Sequence, residues 1–402
     1  MTLIEVLVTL AVASLVMVGI TNAFLAQTRQ YQSMAGRRDV QSGGRMGLKI
    51  LEEKLRFAGY GVDPNLAISA WDSWDPAAGA LAGDTSFPDA IVIHERDPNF
   101  QRSISSAGGG VINFLEPLKD GYPLLPGQIL LALCSGAQRY TYVTVATRAE
   151  PGALQVSLLG GTGAASPIGP PPTRFRDLDG ILEDPCFDSG EARLVKIDRY
   201  AFFVSAFDDD GDQATRRLPF LMMHRGLDLN GDGTVDINDA VPIAVGVEQL
   251  QISYVMNTRA TDPVRVLGVT TANRVPPPDG ANAWDQPTER PRFSDSYLSD
   301  RRFTSNPANI RQVRVTLVTR SRAHNAAIPG DNMYTAADAG WSAGTLTTGT
   351  TVWQQMENLA TPASGSDFNP NGGGYLRSVM RMAVSPKNLL MRSQFLPPNY
   401  GG

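Results

Sequence analysis

Cysteine and histidine are scarce in this chain, with two cysteines and three histidines among 402 residues. That scarcity excludes a disulfide-dense scaffold and a cysteine/histidine zinc cluster. His94, His224 and His324 stand far apart, with no metal-ligand spacing between them. G-x-S-x-G occurs once, as GWSAG (340–344) within a Gly/Ala/Thr-rich stretch, G-x-x-x-x-G-K-[ST] does not occur, and the loop GGTGAASPIGP has no lysine to meet a phosphate. No constellation of nucleophile and base is evident, so no enzyme activity is expected. Charged residues are only 19% of the chain, the net charge is −5, and there is no basic block. A nucleic-acid partner is therefore not expected. Proline is missing before Pro64, so nothing in that stretch forces a helix to end. A second apolar run of membrane length is also missing.

The one long apolar run is the first 28 residues, MTLIEVLVTLAVASLVMVGITNAFLAQT, with no charge between Glu5 and Arg29. At about 1.5 Å per residue such a run is long enough to cross a bilayer core of about 30 Å. Glu5 is the exception inside it, and a carboxylate near the end of a membrane helix needs a partner. Beyond the run, Gly47, Leu48, Leu51, Leu55 and Ala58 form an apolar stripe among Lys49, Glu52, Glu53, Lys54 and Arg56. This predicts that the helix continues as an amphipathic half lying against a globular head. The glycines of SGGRMG (42–47) are expected to weaken it and allow a bend or fray. LRFAGYGVDP (55–64) ends it with glycines and a proline.

After Pro64 the text becomes strand-length apolar runs broken by Gly, Pro, Asn and Asp. They are AIVIHE, GVINFLE, QILLALC, RYTYVTVATR, LQVSLL, ARLVKIDRYAFFVSAF, LPFLMMHRG, VGVEQLQISYVM, IRQVRVTLVTR and YLRSVMRMAVS. Several alternate, as where Val313, Val315 and Leu317 face one way and Arg314, Thr316 and Val318 the other. Gly 39 and Pro 28 fit many turns. The expected fold class is α+β: a long N-terminal helix (1–58, of which about 1–28 is the membrane or filament-core part) on a large antiparallel sheet head (59–402). Residues 59–190 and 191–402 are candidate subdomains. Long loops are expected over 258–309 and 325–374.

One stretch carries metal chemistry. DLNGDGTVDIND (228–239) places oxygens at loop positions one, three, five, nine and twelve, through Asp228, Asn230, Asp232, Asp236 and Asp239. Gly233 allows the sharp turn, and Thr234 would offer its backbone carbonyl. That spacing suits calcium, a hard ion taking six to eight oxygens. Asp239 stands where glutamate is usual, and the bland alternative is an Asp/Gly-rich turn without metal. Asp208, Asp210 and Asp212 of FDDDGDQ are a weaker case, better explained as a hairpin turn. Cys134 and Cys186, in an exported head, either form one disulfide or remain two buried thiols.

The start MTLIEVLVTLAV resembles that of a processed type IV pilin or pseudopilin. LRFAGY, GVEQLQISY and the RVRVTL strand are similar to segments of PilW-type minor pilins, over roughly half the chain and mainly at its two ends. The resemblance implies that prepilin peptidase cuts before Met1 and methylates it. It also implies that Glu5 pairs with a neighbouring subunit's N-terminus during assembly. The head would sit outside the cytoplasm on a single-pass inner-membrane helix, and later in an extracellular pilus. Partners would be major and minor pilins, the inner-membrane assembly platform and a tip adhesin. The alternatives are a minor pseudopilin of a type II secretion system, a membrane-anchored calcium-dependent adhesin, and an ordinary signal anchor.

Overall fold

The computed structural model describes residues 2–62, 64–71, 74–81, 88–119, 121, 123–134, 139–160, 166–169, 187, 190–207, 218–256, 265–267, 310–321 and 377–390. A single helix, α1 (Leu3–Phe57), opens the chain. Thr2 caps it in a reciprocal box: its hydroxyl accepts the Glu5 amide at 3.4 Å, and the Glu5 carboxylate accepts the Thr2 amide at 3.0 Å. Residues 2–31 are exposed throughout, and the helix is long and apolar enough to cross a membrane. Hydroxyls in this half bond back onto the helix, Thr9 to the Glu5 carbonyl, Thr21 to Met17 and Thr28 to Phe24, each at 2.8 Å. They thereby leave no unmet donor in an apolar environment.

The second half of α1 is seated in the head through Val40, Gly43, Gly44, Gly47, Leu51, Leu55 and Ala58, all buried. The helix continues without a break through 42–47, where a bend or fray was expected, and the glycines serve contact with the sheets. A Cβ on Gly43 would stand 2.5 Å from the Val245 carbonyl oxygen, and one on Gly44 2.5 Å from the Met380 sulfur. The Thr319 hydroxyl adds a bond to the Val40 carbonyl at 3.1 Å. Removing the side chain lets the helix approach closely, and that contact offsets the poor helix propensity of glycine. Gly43→Ala should therefore destabilise the protein by about 1–3 kcal/mol through overpacking, against a propensity gain of about 1 kcal/mol. Guanidinium unfolding of the full chain in detergent checks the sign. Gly19→Ala, whose Cβ meets nothing within 4 Å, is the control that carries the propensity gain without the clash.

At the far end of α1, Lys54 lies 3.1 Å from the Glu95 carboxylate and 3.9 Å above the Tyr200 ring. Burial alone would lower the lysine pKa, but Tyr200 and Glu95 outweigh it and hold the ammonium above its ordinary value. The helix ends at Ala58, and Gly59 and Gly61 follow with positive φ.

The head is antiparallel sheet. Its strands are β1 (Ile68–Trp71), β2 (Trp74–Asp75), β3 (Ala80–Leu81), β4 (Ala90–Gly108), β5 (Val111–Phe114), β6 (Ile129–Cys134), β7 (Arg139–Thr144) and β8 (Gln155–Ser157). They continue as β9 (Arg193–Phe207), β10 (Leu218–His224), β11 (Val241–Val245), β12 (Val247–Met256), β13 (Arg265–Leu267), β14 (Ile310–Arg320) and β15 (Arg377–Val384). Each run read as a strand contains one. The short β1, β2, β3, β11 and β13 carry too little alternation to be seen in sequence. β4 also runs on past AIVIHE through RDPN, which forms a bulge where the register against β9 shifts between Arg96 and Gln101. A bulge tolerates Pro98 because no ladder bond is needed there.

Nine strands form one sheet, with the path β11-β10-β9-β4-β5-β8, β1 on β4, and β6 bridging β7 and β9. β9 pairs with both β4 and β6, so the chain on the two sides of residue 190 shares this sheet. A second sheet has the order β13-β12-β14-β15. The two sheets and α1 enclose one core, in which Leu51 and Leu55 meet Ile91, Phe202, Leu221, Leu250, Ile252, Val315 and Leu317. A second core around Phe100, Ile104, Phe114, Val143 and Phe187 fills the other end.

Two contacts join the sheets. At Gly246 the chain passes from β11 to β12; its amide bonds the Pro219 carbonyl at 2.8 Å, and its carbonyl accepts the Arg320 amide at 2.7 Å. Asp89 is buried before β4, with its amide on the Leu250 carbonyl and its carboxylate on the Ile252 amide, both at 2.8 Å.

Candidate functional sites at the helix tip and the acidic loop

The tip of α1 presents Glu5 in its capping box, at the end of an apolar helix that the head does not cover. Oε2 is engaged by the Thr2 amide, so the acid has a partner within its own chain. Met1 lies outside the described residues.

The acidic loop follows β10. His224 at the strand end is fully buried and fixes both flanks: its Nδ1 accepts the Gly226 amide at 2.9 Å, which leaves Nε2–H to donate to the Asp236 carbonyl at 2.7 Å. Inside the loop the carboxylates turn to N–H groups. Asp228 accepts the Gly231 and Gly233 amides at 2.6 and 3.0 Å. Asp239 accepts Leu229, Asn230 and Asp236 at 2.7, 3.1 and 3.1 Å. Asp232 accepts the Thr234 hydroxyl at 2.6 Å, which holds its carboxyl below the usual range. Asp236 caps a short turn, Ile237–Asp239. Asp228 and Asp239, at the two ends of the loop, are 7% and 3% exposed. Neither has an ion pair among the described residues. Among the described residues no three His, Cys, Asp or Glu groups are gathered to hold a metal. Asp208, Asp210 and Asp212 lie outside the described residues.

Cys134, at the end of β6, is buried, and no described cysteine is a free thiol. Cys186 lies outside the described residues, as does His324. His94 is a buried strand residue with Nδ1 2.7 Å from the Leu66 carbonyl. It pairs across the ladder with Arg199. Burial, and then the Arg199 charge, press its pKa down to about 3. The folded protein keeps it neutral while the unfolded chain takes a proton near pH 6.5, so stability is lost as pH falls from about 6.5 toward 3. Full-chain unfolding should weaken by about 2 kcal/mol between pH 7 and pH 5 from this group. The His94→Gln variant should show a correspondingly flatter profile.

Arg199 was not singled out by sequence, since nothing local separates it from a surface arginine on an alternating strand. It is 4% exposed and donates to the carbonyls of Ser166, Pro167 and Gly169. Burial lowers its pKa to about 10. It fastens that turn beside the acidic loop, where Gly226 leaves room for its guanidinium.

Compared with protein families, curated proteins and solved structures, the chain matches none.

Proposed function

We propose that the protein is a membrane-anchored minor pilin of the PilW type, built to be drawn from the inner membrane into a filament. It acts as a non-catalytic, low-copy subunit at the tip or at initiation. The observation that carries this reading is α1. It is an apolar helix of membrane length, wholly uncovered, capped by an acid at its tip and held by its other half in a β head. An anchor alone needs no such unbroken connection to its cargo; a subunit that packs its helix among others does. On leaving lipid, the exposed apolar face is buried again against neighbouring helices. The head is large, which disfavours stacking many copies around a thin filament. The test is immunogold labelling of sheared surface filaments together with carbonate-washed membranes. Membrane-bound protein plus sparse labelling at filament ends supports the proposal. Membrane-bound protein that is absent from filaments makes it a simple anchor for an adhesin, and even labelling along filaments removes the tip role.

We also propose that the 228–239 loop takes a structural calcium ion through Asp228, Asn230, Asp232, Thr234, Asp236 and Asp239, and that Cys134 and Cys186 form a disulfide. The spacing of the oxygens supports the metal, as does the burial of Asp228 and Asp239, which have no ion-pair partner among the described residues. Amide donors hold these carboxylates as the loop stands, so binding would exchange some of those bonds for metal–oxygen contacts. Calorimetry with added calcium should show one ion per chain, a raised melting temperature, and loss of both in Asp228→Ala. No heat and no shift in melting temperature would leave the loop a plain turn.

A further inference from the structure

One stretch of α1 belongs neither to the apolar run nor to the part seated in the head. The charge-free run ends at Thr28, and the first described residue of the helix that is buried is Val40. Between them lies a neck of about 16 Å of helix. It carries Arg29, Arg37 and Arg38, all exposed, with Asp39 as its one acid. None of the three arginines has an ion pair among the described residues. A chain of net charge −5 thus turns locally basic where its apolar run stops.

Direction and height select the partner. At 3.6 residues per turn, Arg37 stands about 80° round the helix from Arg29, and Arg38 about 100° further. The three cations therefore fan over half the circumference. A protein surface laid along the helix would meet one or two of them, whereas a membrane surface surrounds the helix that crosses it and meets all three. Arg29 follows the apolar run directly, and Arg37 and Arg38 stand about 13–15 Å beyond Thr28 along the axis. The headgroup layer is roughly 5–7 Å deep, and the field of anionic headgroups reaches about 8 Å further in physiological salt. Helical side chains lean toward the N-terminus, which here is back toward the membrane, so long arginine stems close the distance. Tyr31, within the same neck, is 76% exposed, and tyrosine is enriched at membrane–water interfaces. Arg45 and Lys49, about 25 and 31 Å beyond Thr28, lie outside this reach. We infer that Arg29, Arg37 and Arg38 form a collar that binds anionic phospholipid headgroups where the head leaves the membrane. The collar sets the depth of the helix and the stand-off of the head. This rests on α1 spanning the membrane, and holds whether or not the protein enters a filament.

The test uses the full chain reconstituted in phosphatidylcholine vesicles with a trace of spin-labelled phosphatidylglycerol or spin-labelled phosphatidylcholine. Electron paramagnetic resonance reads the share of each lipid immobilised at the protein. Phosphatidylglycerol should be preferred by about fivefold at low salt, the effect of one basic residue near an anionic surface. The preference should fall toward equality at about 1 M salt. It should be lost when Arg29→Gln, Arg37→Gln and Arg38→Gln are combined, and kept when Arg45→Gln and Lys49→Gln are combined. Equal immobilisation of the two lipids by the native chain overturns the inference, as does a preference that survives the triple substitution. A preference lost equally in the Arg45→Gln and Lys49→Gln chain also overturns it. Retention of the native chain on carbonate-washed vesicles is scored first. Release there would overturn the membrane-spanning reading of α1 and the collar with it, whereas retention without lipid preference overturns the collar alone.

Discussion

Gly246→Ala is expected to lower the stability of the head by about 2–5 kcal/mol, the sum of strain and forced displacement. Gly246 has a φ of +78°, a region that costs a residue with a side chain about 1–2 kcal/mol. A Cβ there would also stand 2.3 Å from the Arg320 carbonyl oxygen. That oxygen belongs to backbone and cannot rotate away. The residue's own amide and carbonyl are tied to Pro219 on one sheet and Arg320 on the other, so relief of the clash breaks the junction between sheets. The ion pair that flanks it, Arg320 to Glu248 at 2.9 Å, is itself 8% and 9% exposed, and a shift would leave buried charges apart. Gly152→Ala separates the two contributions. Its φ is +90° and nothing lies within 4 Å of the added carbon, so it should cost only the strain. Denaturant midpoints of the two variants check this, and equal losses would remove the clash from the account.

Glu5 substitutions are expected to abolish incorporation into filaments while leaving membrane insertion intact. Two roles must be told apart. The carboxylate closes the capping box with Thr2, and in the proposed assembly it also pairs with a neighbour's N-terminal amine. Glu5→Ala loses both, at a cap cost of about 1 kcal/mol. Glu5→Gln keeps an acceptor for the Thr2 amide, since glutamine serves in a capping box as well as glutamate does, but loses the charge. If the charge sets the axial contact, both variants should remain in carbonate-washed membranes and be missing from sheared filaments. An uncompensated amine in the bundle would then cost on the order of 3–5 kcal/mol. Assembly of Glu5→Gln at the normal level would reduce Glu5 to a helix cap and withdraw its role between subunits.

Long-range consequences of short features separate what could be read in the chain from what could not. The length of α1, its exposed apolar half and its stop at LRFAGYG follow from local pattern, because helix periodicity and termination are set within a turn or two. The strand runs are legible for the same reason. The acidic loop is legible as a spacing, but where its oxygens point depends on His224 and on the backbone amides of the loop, which spacing does not encode. The glycines of SGGRMG show the limit plainly. Locally they predict a weak helix, and in the fold they are the surface by which the helix reaches Val245, Met380 and Leu317.

The sequence by itself determined a long helix with a membrane-length apolar half, an acid at its tip and a β-rich body, since each rests on neighbours along the chain. Only the tertiary structure decided that α1 stays unbroken through residues 42–47, that β11 and β12 divide between two sheets at Gly246, and that His94 and Arg199 are buried together. Those outcomes depend on which backbone atoms approach across the core, and close packing between distant segments leaves no periodic trace in either segment alone.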